Sequence, residues 1–200
     1  MTRRAPAGPP AQAVAAAFAQ ALELASARIG ATAPNPPVGC GLLDADGAVL
    51  AAAAHQAAGQ PHAEALAIAQ SRASGTADRI HTTVVTLEPC THTGRTPPCT
   101  EAVLSTPSSQ IWIGAPDPNP RAAGGAQMLA SAGLSVRAIA ELDAPAAESL
   151  SADAERLIAP SAKRARTGVP WIIVKQALDR KGSMVPPPGQ TTFTSEASLI

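Results

Sequence analysis

A chain of 200 residues, 46% of them hydrophobic, can close one ample core and leaves room for one domain plus part of another. Fifteen Lys and Arg balance fifteen Asp and Glu, so no global field draws the chain to nucleic acid or to an anionic membrane, and any anion binding must be local. No apolar run of about 18 residues or more is present, and three cysteines fit a reduced cytoplasm, where Cys pairs more often bind metal or do chemistry than form structural disulfides.

In chain order, residues 1–10 read as a flexible tip, and residues 1–27 as a whole are too interrupted by Gln and Glu to read as a secretory leader. Residues 11–28 place Val14, Phe18, Leu22 and Leu24 at helical spacing before Gly30. A proline-punctuated loop, "TAPNPPVG", leads to two apolar strands around Asp46-Gly47, a hairpin signal. A loop through His55 ends at Pro61, where a helix starts and runs to about Gly75. The β-branched "TTVVTL" predicts a buried strand. The long loop "EPCTHTGRTPP" follows it and opens into a helix near Pro98 and Cys99. Next come a strand "QIWIGA", a loop "DPNPRAAGG", a helix "AQMLASA", a strand "LSVRAI" and a helix over 144–158. Strands alternating with helices after a hairpin predict a three-layer α/β/α domain with a mixed sheet over 11–158, its site in the loops after the strand ends. A linker over 159–169 and a strand opening a further unit over 170–200 complete the prediction.

Four residues carry the chemistry. His62, Cys90 and Cys99 are the imidazole and thiolate donors Zn²⁺ prefers, and three protein ligands leave a fourth tetrahedral position for water, as in catalytic sites. His62 and Cys99 each begin a helix and Cys90 follows a strand, so helix N-termini can stabilise the thiolates. Glu64, two residues from His62, can service that water as general base and acid without ligating the metal. The pattern H-x-E, then P-C and a second Cys, is that of zinc-dependent nucleobase deaminases. Alone, His62 and Glu64 read as an exposed helix turn; joined to Cys90 and Cys99 they read as a site. Cys40 reads as a small buried hydrophobe and His81 as surface.

The strings "TAPNPPVGC", "PHAEALA", "VTLEPCTHTGRTPPC" and "DPNP" resemble the deaminase domain of the bifunctional riboflavin-biosynthesis deaminase/reductase family, over nearly all of residues 12–150. Most zinc deaminases separate the two cysteines by two residues; here eight intervene, as in the riboflavin branch. The resemblance implies a cytidine-deaminase-like fold, one catalytic Zn²⁺ and a small-molecule substrate, a 2,5-diamino-pyrimidinone bearing a 5-phosphoribosylamino group. It implies pyrimidine contacts from Asn35 and His55. It also implies contacts to the ribose phosphate from His92, Arg95, Asp117 and Asn119. His92 and Arg95 suit a phosphate through charge-assisted hydrogen bonds.

In that family a reductase domain using NADPH follows the deaminase. Here "VPWIIVKQALDRKGSM" and "TSEASLI" resemble its first strand and helix, and its cofactor loops are not in the chain, so neither NADPH binding nor reductase activity is expected of these residues. They read as a fragment or a vestigial tail. No nucleic-acid or membrane partner is expected, and a homo-oligomer is compatible with the sequence. Two rivals remain on residues alone: another zinc deaminase, acting on cytidine, guanine or tRNA adenosine, and a catalytically silent zinc-binding module.

Overall fold

The structure is a computed structural model and describes residues 8–93, 97–174, 176, 178 and 182–185. Its first element is helix α1 (Ala11–Ser26), which buries Val14, Ala17, Phe18, Ala21, Leu22 and Ala25 along one stripe. Strands β1 (Gly39–Leu43) and β2 (Val49–Ala54) pair antiparallel, forming the hairpin around Asp46-Gly47. The Asp44 carboxylate holds the turn by accepting the N–H groups of Asp46 (3.1 Å) and Ala48 (2.8 Å), and it pairs with Arg79.

Helix α2 (Ala63–Ala73), strand β3 (Thr82–Leu87), helix α3 (Cys99–Leu104) and strand β4 (Gln110–Ala115) follow, then α4 (Gly125–Ser131), β5 (Ser135–Ala138) and α5 (Ala147–Thr167). The sheet order is β2-β1-β3-β4-β5. β1 runs antiparallel to β2 and β3, while β3, β4 and β5 are parallel, so the sheet is mixed.

Strand periodicity divides the core in two. On one face Leu43, Val84 and Trp112 pack with Phe18 of α1 and with Ala154, Leu157 and Ile158 of α5. On the other, Cys40, Leu42, Val85, Ile111 and Ile113 pack with Ala67 and Ile68 of α2, Val103 of α3 and Leu129 of α4. The result is the three-layer α/β/α domain expected. Because β3 and β4 are parallel, their C-terminal ends share one edge of the sheet, where the loops bearing Cys90 and Asp117 emerge.

Two expectations need correction. The segment 159–169, expected as a linker after a helix over 144–158, is helical through Thr167 and closes at Gly168, which has φ +70°. Pro160 lies inside the helix, and the buried stripe Ala154, Leu157, Ile158 and Ala162 continues past it. Arg164 and Arg166 suit the C-terminal end of the dipole, and together these gains outweigh the one hydrogen bond Pro160 cannot make. The chain divides into two units, Met1–Pro170 and Trp171–Ile200. In the second, Trp171, Ile172, Ile173 and Val174 form neither strand nor helix, contrary to the strand expected there.

Candidate active site

His62 stands at the N-cap of α2 in an extended conformation (φ −71°, ψ 164°), and its carbonyl accepts the Leu66 N–H at 3.0 Å. Cys99 is the first residue of α3, behind Pro98. Cys90 follows β3, its carbonyl held by the N–H and hydroxyl of Thr100, each at 3.3 Å. These three positions converge. His62 Nδ1 lies 3.2 Å from Cys99 Sγ and 3.7 Å from Cys90 Sγ. All three donor atoms fall within 4.8 Å of one another, the one such group among the described residues.

The donor set fits a soft-to-borderline divalent ion. Cys99 donates to Cys90 by its thiol, and with His62 and the Cys99 N–H (3.5 Å) it pulls the Cys90 thiol down to about 4 against the upward push of burial. Cys99 is pushed up by that same bond to Cys90 and by burial. His62 is raised above its ordinary value, first by its bond to Cys90, while burial opposes. Two sulfurs and an imidazole within hydrogen-bond reach of one another make a donor set that a cation can bridge. Zinc is the ion these ligands favour.

Glu64, in the first turn of α2, is only 3% exposed. Burial raises its carboxyl above the usual carboxylate range, and the His62 charge opposes that rise. A carboxyl two positions from a ligand, dry and raised, is suited to taking up and returning a proton.

Beside it, His55 is buried. Its Nδ1–H donates to the Pro61 carbonyl at 3.0 Å, leaving Nε2 to accept from Asn35 Nδ2 at 3.1 Å. Its ring meets that of His62 edge-on at 5.2 Å. Burial lowers the His55 pKa, which keeps the ring neutral. Both ring nitrogens are therefore engaged within the chain. His92 is exposed. Asp117 is half-buried and raised by burial, with the Asn119 N–H opposing, and Asn119 is exposed. Arg95 lies outside the described residues.

One residue of the site had no role assigned from sequence. Glu88, at the end of β3 and 8% exposed, accepts three backbone N–H groups: Asp117 (3.0 Å) on one oxygen, Gly124 (3.1 Å) and Ala126 (2.9 Å) on the other. It stands in the string "EPC", but its partners lie 29 to 38 residues further on, beyond any local pattern. Gly125 touches the same junction: a Cβ there would meet the Pro89 carbonyl oxygen at 1.9 Å.

A mixed sheet between helix layers, with one His, two Cys and a buried Glu at the parallel strands' C-terminal edge, is the layout of a zinc-dependent deaminase. The chain belongs to the family described as the cytidine and deoxycytidylate deaminase zinc-binding region, whose model matches residues 12–115. It is 39% identical over 172 residues to riboflavin biosynthesis protein RibD of Escherichia coli K12, covering 84% of this chain and 43% of that one. Against the chloroplastic riboflavin biosynthesis protein PYRD of Zea mays it is 46% identical over 117 residues, covering 58% and 29%. Among solved structures it is similar to a diaminohydroxyphosphoribosylaminopyrimidine deaminase/5-amino-6-(5-phosphoribosylamino)uracil reductase of Thermotoga maritima. There the TM-score is 0.81 at 29% identity, covering 94% of this chain and 51% of that one. RibD of Acinetobacter baumannii, form 1, gives 0.75 at 34% identity, covering 94% and 49%. The chain thus spans less than half the length of these two curated relatives.

Proposed function

We propose that the chain is the deaminase of riboflavin biosynthesis. It hydrolyses 2,5-diamino-6-(5-phosphoribosylamino)pyrimidin-4-one to 5-amino-6-(5-phosphoribosylamino)uracil and ammonia. The carrying observation is the convergence of His62, Cys90 and Cys99 within 4.8 Å beside buried Glu64, across a Cys-to-Cys loop of eight residues. The names of the relatives support the same reading.

The reaction exchanges one C–NH₂ bond for a C=O bond at the expense of one water. His62, Cys90 and Cys99 would hold the zinc, which would supply Lewis acidity to activate water near neutral pH. Glu64 takes one proton from the attacking water and passes it to the neighbouring ring nitrogen; it then moves the second proton, from the hydroxyl now on carbon, to the amine, so that the C=O bond forms as the C–N bond breaks and ammonia leaves. Its dry position raises the carboxyl above the usual carboxylate range, which favours uptake of the proton. Asn35, its amide held by His55, contacts the pyrimidine. His92, Arg95, Asp117 and Asn119 serve the ribose phosphate end.

The balanced charge agrees with a small substrate rather than a polynucleotide, and the three free cysteines with work in the cytoplasm. Among the described residues no helix is long and apolar enough to cross a membrane. Residues 170–200 we read as the opening of a reductase-like unit, NADPH being the cofactor of such a unit when complete. The test is ammonia release with the phosphoribosylated diaminopyrimidine, cytidine and guanine in parallel. Turnover confined to the first is expected. Preference for cytidine or guanine, or bound zinc with no turnover on any, overturns the reading.

A further inference from the structure

We propose that Glu88 is the positioning residue that sets the distance between the metal ligands and the groups that take the ribose phosphate; the second half of that statement rests on the function proposed above. The carboxylate stands two residues before Cys90, and its three acceptor bonds are spent on the opposite loop. Asp117 is where that loop leaves β4, and Gly124 and Ala126 are where it enters α4. One side chain therefore clamps both ends of residues 116–123. The Glu88 N–H donates to Ala115 at 2.9 Å, which continues the β3–β4 pairing up to the clamp.

Between the clamps the loop is built on itself. Asp117 Oδ1 accepts the Asn119 N–H at 2.8 Å, and Asn119 Oδ1 accepts the Arg121 N–H at 3.1 Å. The Thr91 N–H and hydroxyl bind the Ala122 carbonyl at 3.1 and 3.3 Å, so the strand of chain just past Cys90 lies against the loop's far end. Thr91 thus holds the loop's far end, and Glu88 is the side chain that holds Asp117 at its near end, so loss of that bond frees the Asp117 end first. Both Glu88 oxygens are engaged by N–H donors of the opposite loop, so its effect on the site runs through the Asp117 loop.

The carboxylate is an acceptor at both ends, and this makes an isosteric test available. In Glu88→Gln the amide oxygen keeps the two bonds to Gly124 and Ala126, the larger share, and the amide nitrogen faces the Asp117 N–H donor to donor. The helix cap survives while the Asp117 anchor is lost. We expect KM for the phosphoribosylated pyrimidine to rise about tenfold or more, with kcat changed less than about threefold and zinc per chain unchanged. Combined with Asn119→Ala, the loss should not exceed that of the larger single variant, since both act through one loop.

An arm independent of turnover is backbone amide exchange. Glu88→Gln should speed exchange at Asp117 and leave Gly124 and Ala126 protected. The proposal is overturned if Asp117 exchange does not change. It is equally overturned if kcat and zinc content fall together at constant KM, or if the two substitutions multiply independently. Should the wild-type chain fail on the phosphoribosylated substrate while Glu88→Gln still frees Asp117, the functional reading falls and the anchoring role stands.

Discussion

Replacing Gly125 by alanine tests the packing that sets the metal-ligand loop. The added Cβ would sit 1.9 Å from the Pro89 carbonyl oxygen and 3.0 Å from its carbon. Reaching even the tightest tolerated contact, 3.0 Å, requires a shift of about 1.1 Å, from 3.0 − 1.9. Both partners are backbone, so no side chain can swing aside. Overpacking of this kind costs about 3 kcal/mol, the upper part of its usual range. For a chain of this size that lowers the melting temperature by roughly 6–12 °C. Pro89 precedes Cys90, so the strain falls on a ligand, and zinc affinity should drop with stability. The neighbouring Gly124 is the control: nothing lies within 4 Å of its Cβ position, but its φ of +94° is unfavourable for alanine. Gly124→Ala should cost about 1–2 kcal/mol from backbone strain and leave zinc affinity alone. Thermal melts with zinc titration of the two variants decide the matter. A Gly125→Ala protein as stable as wild type, with equal zinc affinity, refutes the reasoning.

Two other outcomes follow from the site and from the hairpin. Glu64→Gln preserves shape and removes the proton carrier, so turnover should fall about 10²- to 10⁴-fold with zinc content unchanged, read by ammonia release and metal analysis of the same sample. Near-normal turnover contradicts the role given to Glu64. At Asp44, burial raises the carboxyl, but the Ala48 and Asp46 N–H groups and Arg79 outweigh it and hold the group below its ordinary value. Its contribution is therefore complete above about pH 4 and is lost as the pH falls further through the lowered folded-state value. Asp44→Ala should lose about 1–2 kcal/mol at neutral pH, mostly from the two turn bonds, since exposed Arg79 adds little. Denaturant melts should show the gap from wild type closing in acid; a gap that is constant with pH speaks against the carboxylate.

What could be read from sequence was what repeats at short range. Alternating strands, the Asp46-Gly47 turn and prolines at helix starts lie within a few residues of what they specify, so the layers and the sheet's mixed character were legible. The cluster of His62, Cys90 and Cys99 was legible because zinc restricts which residue types can serve it. The helix over 159–167 was hidden because Pro160 speaks locally against it, while its support, burial of Leu157, Ile158 and Ala162, is tertiary. Glu88 was hidden for the same reason: a carboxylate collecting N–H groups from another loop has no sequence period. His55 reads as a ligand-facing histidine, yet the fold turns both its nitrogens inward, toward Pro61 and Asn35.

The central claim is a metal held by one imidazole and two thiolates with one further position open. X-ray absorption at the zinc edge of the metal-loaded chain measures this directly. The account predicts two sulfur scatterers at about 2.3 Å and two lighter nitrogen or oxygen scatterers at about 2.0–2.1 Å. In Cys90→Ser one of the sulfurs should disappear from the shell. A shell with fewer than two sulfurs in the wild-type chain, or one unchanged by loss of Cys90, contradicts it.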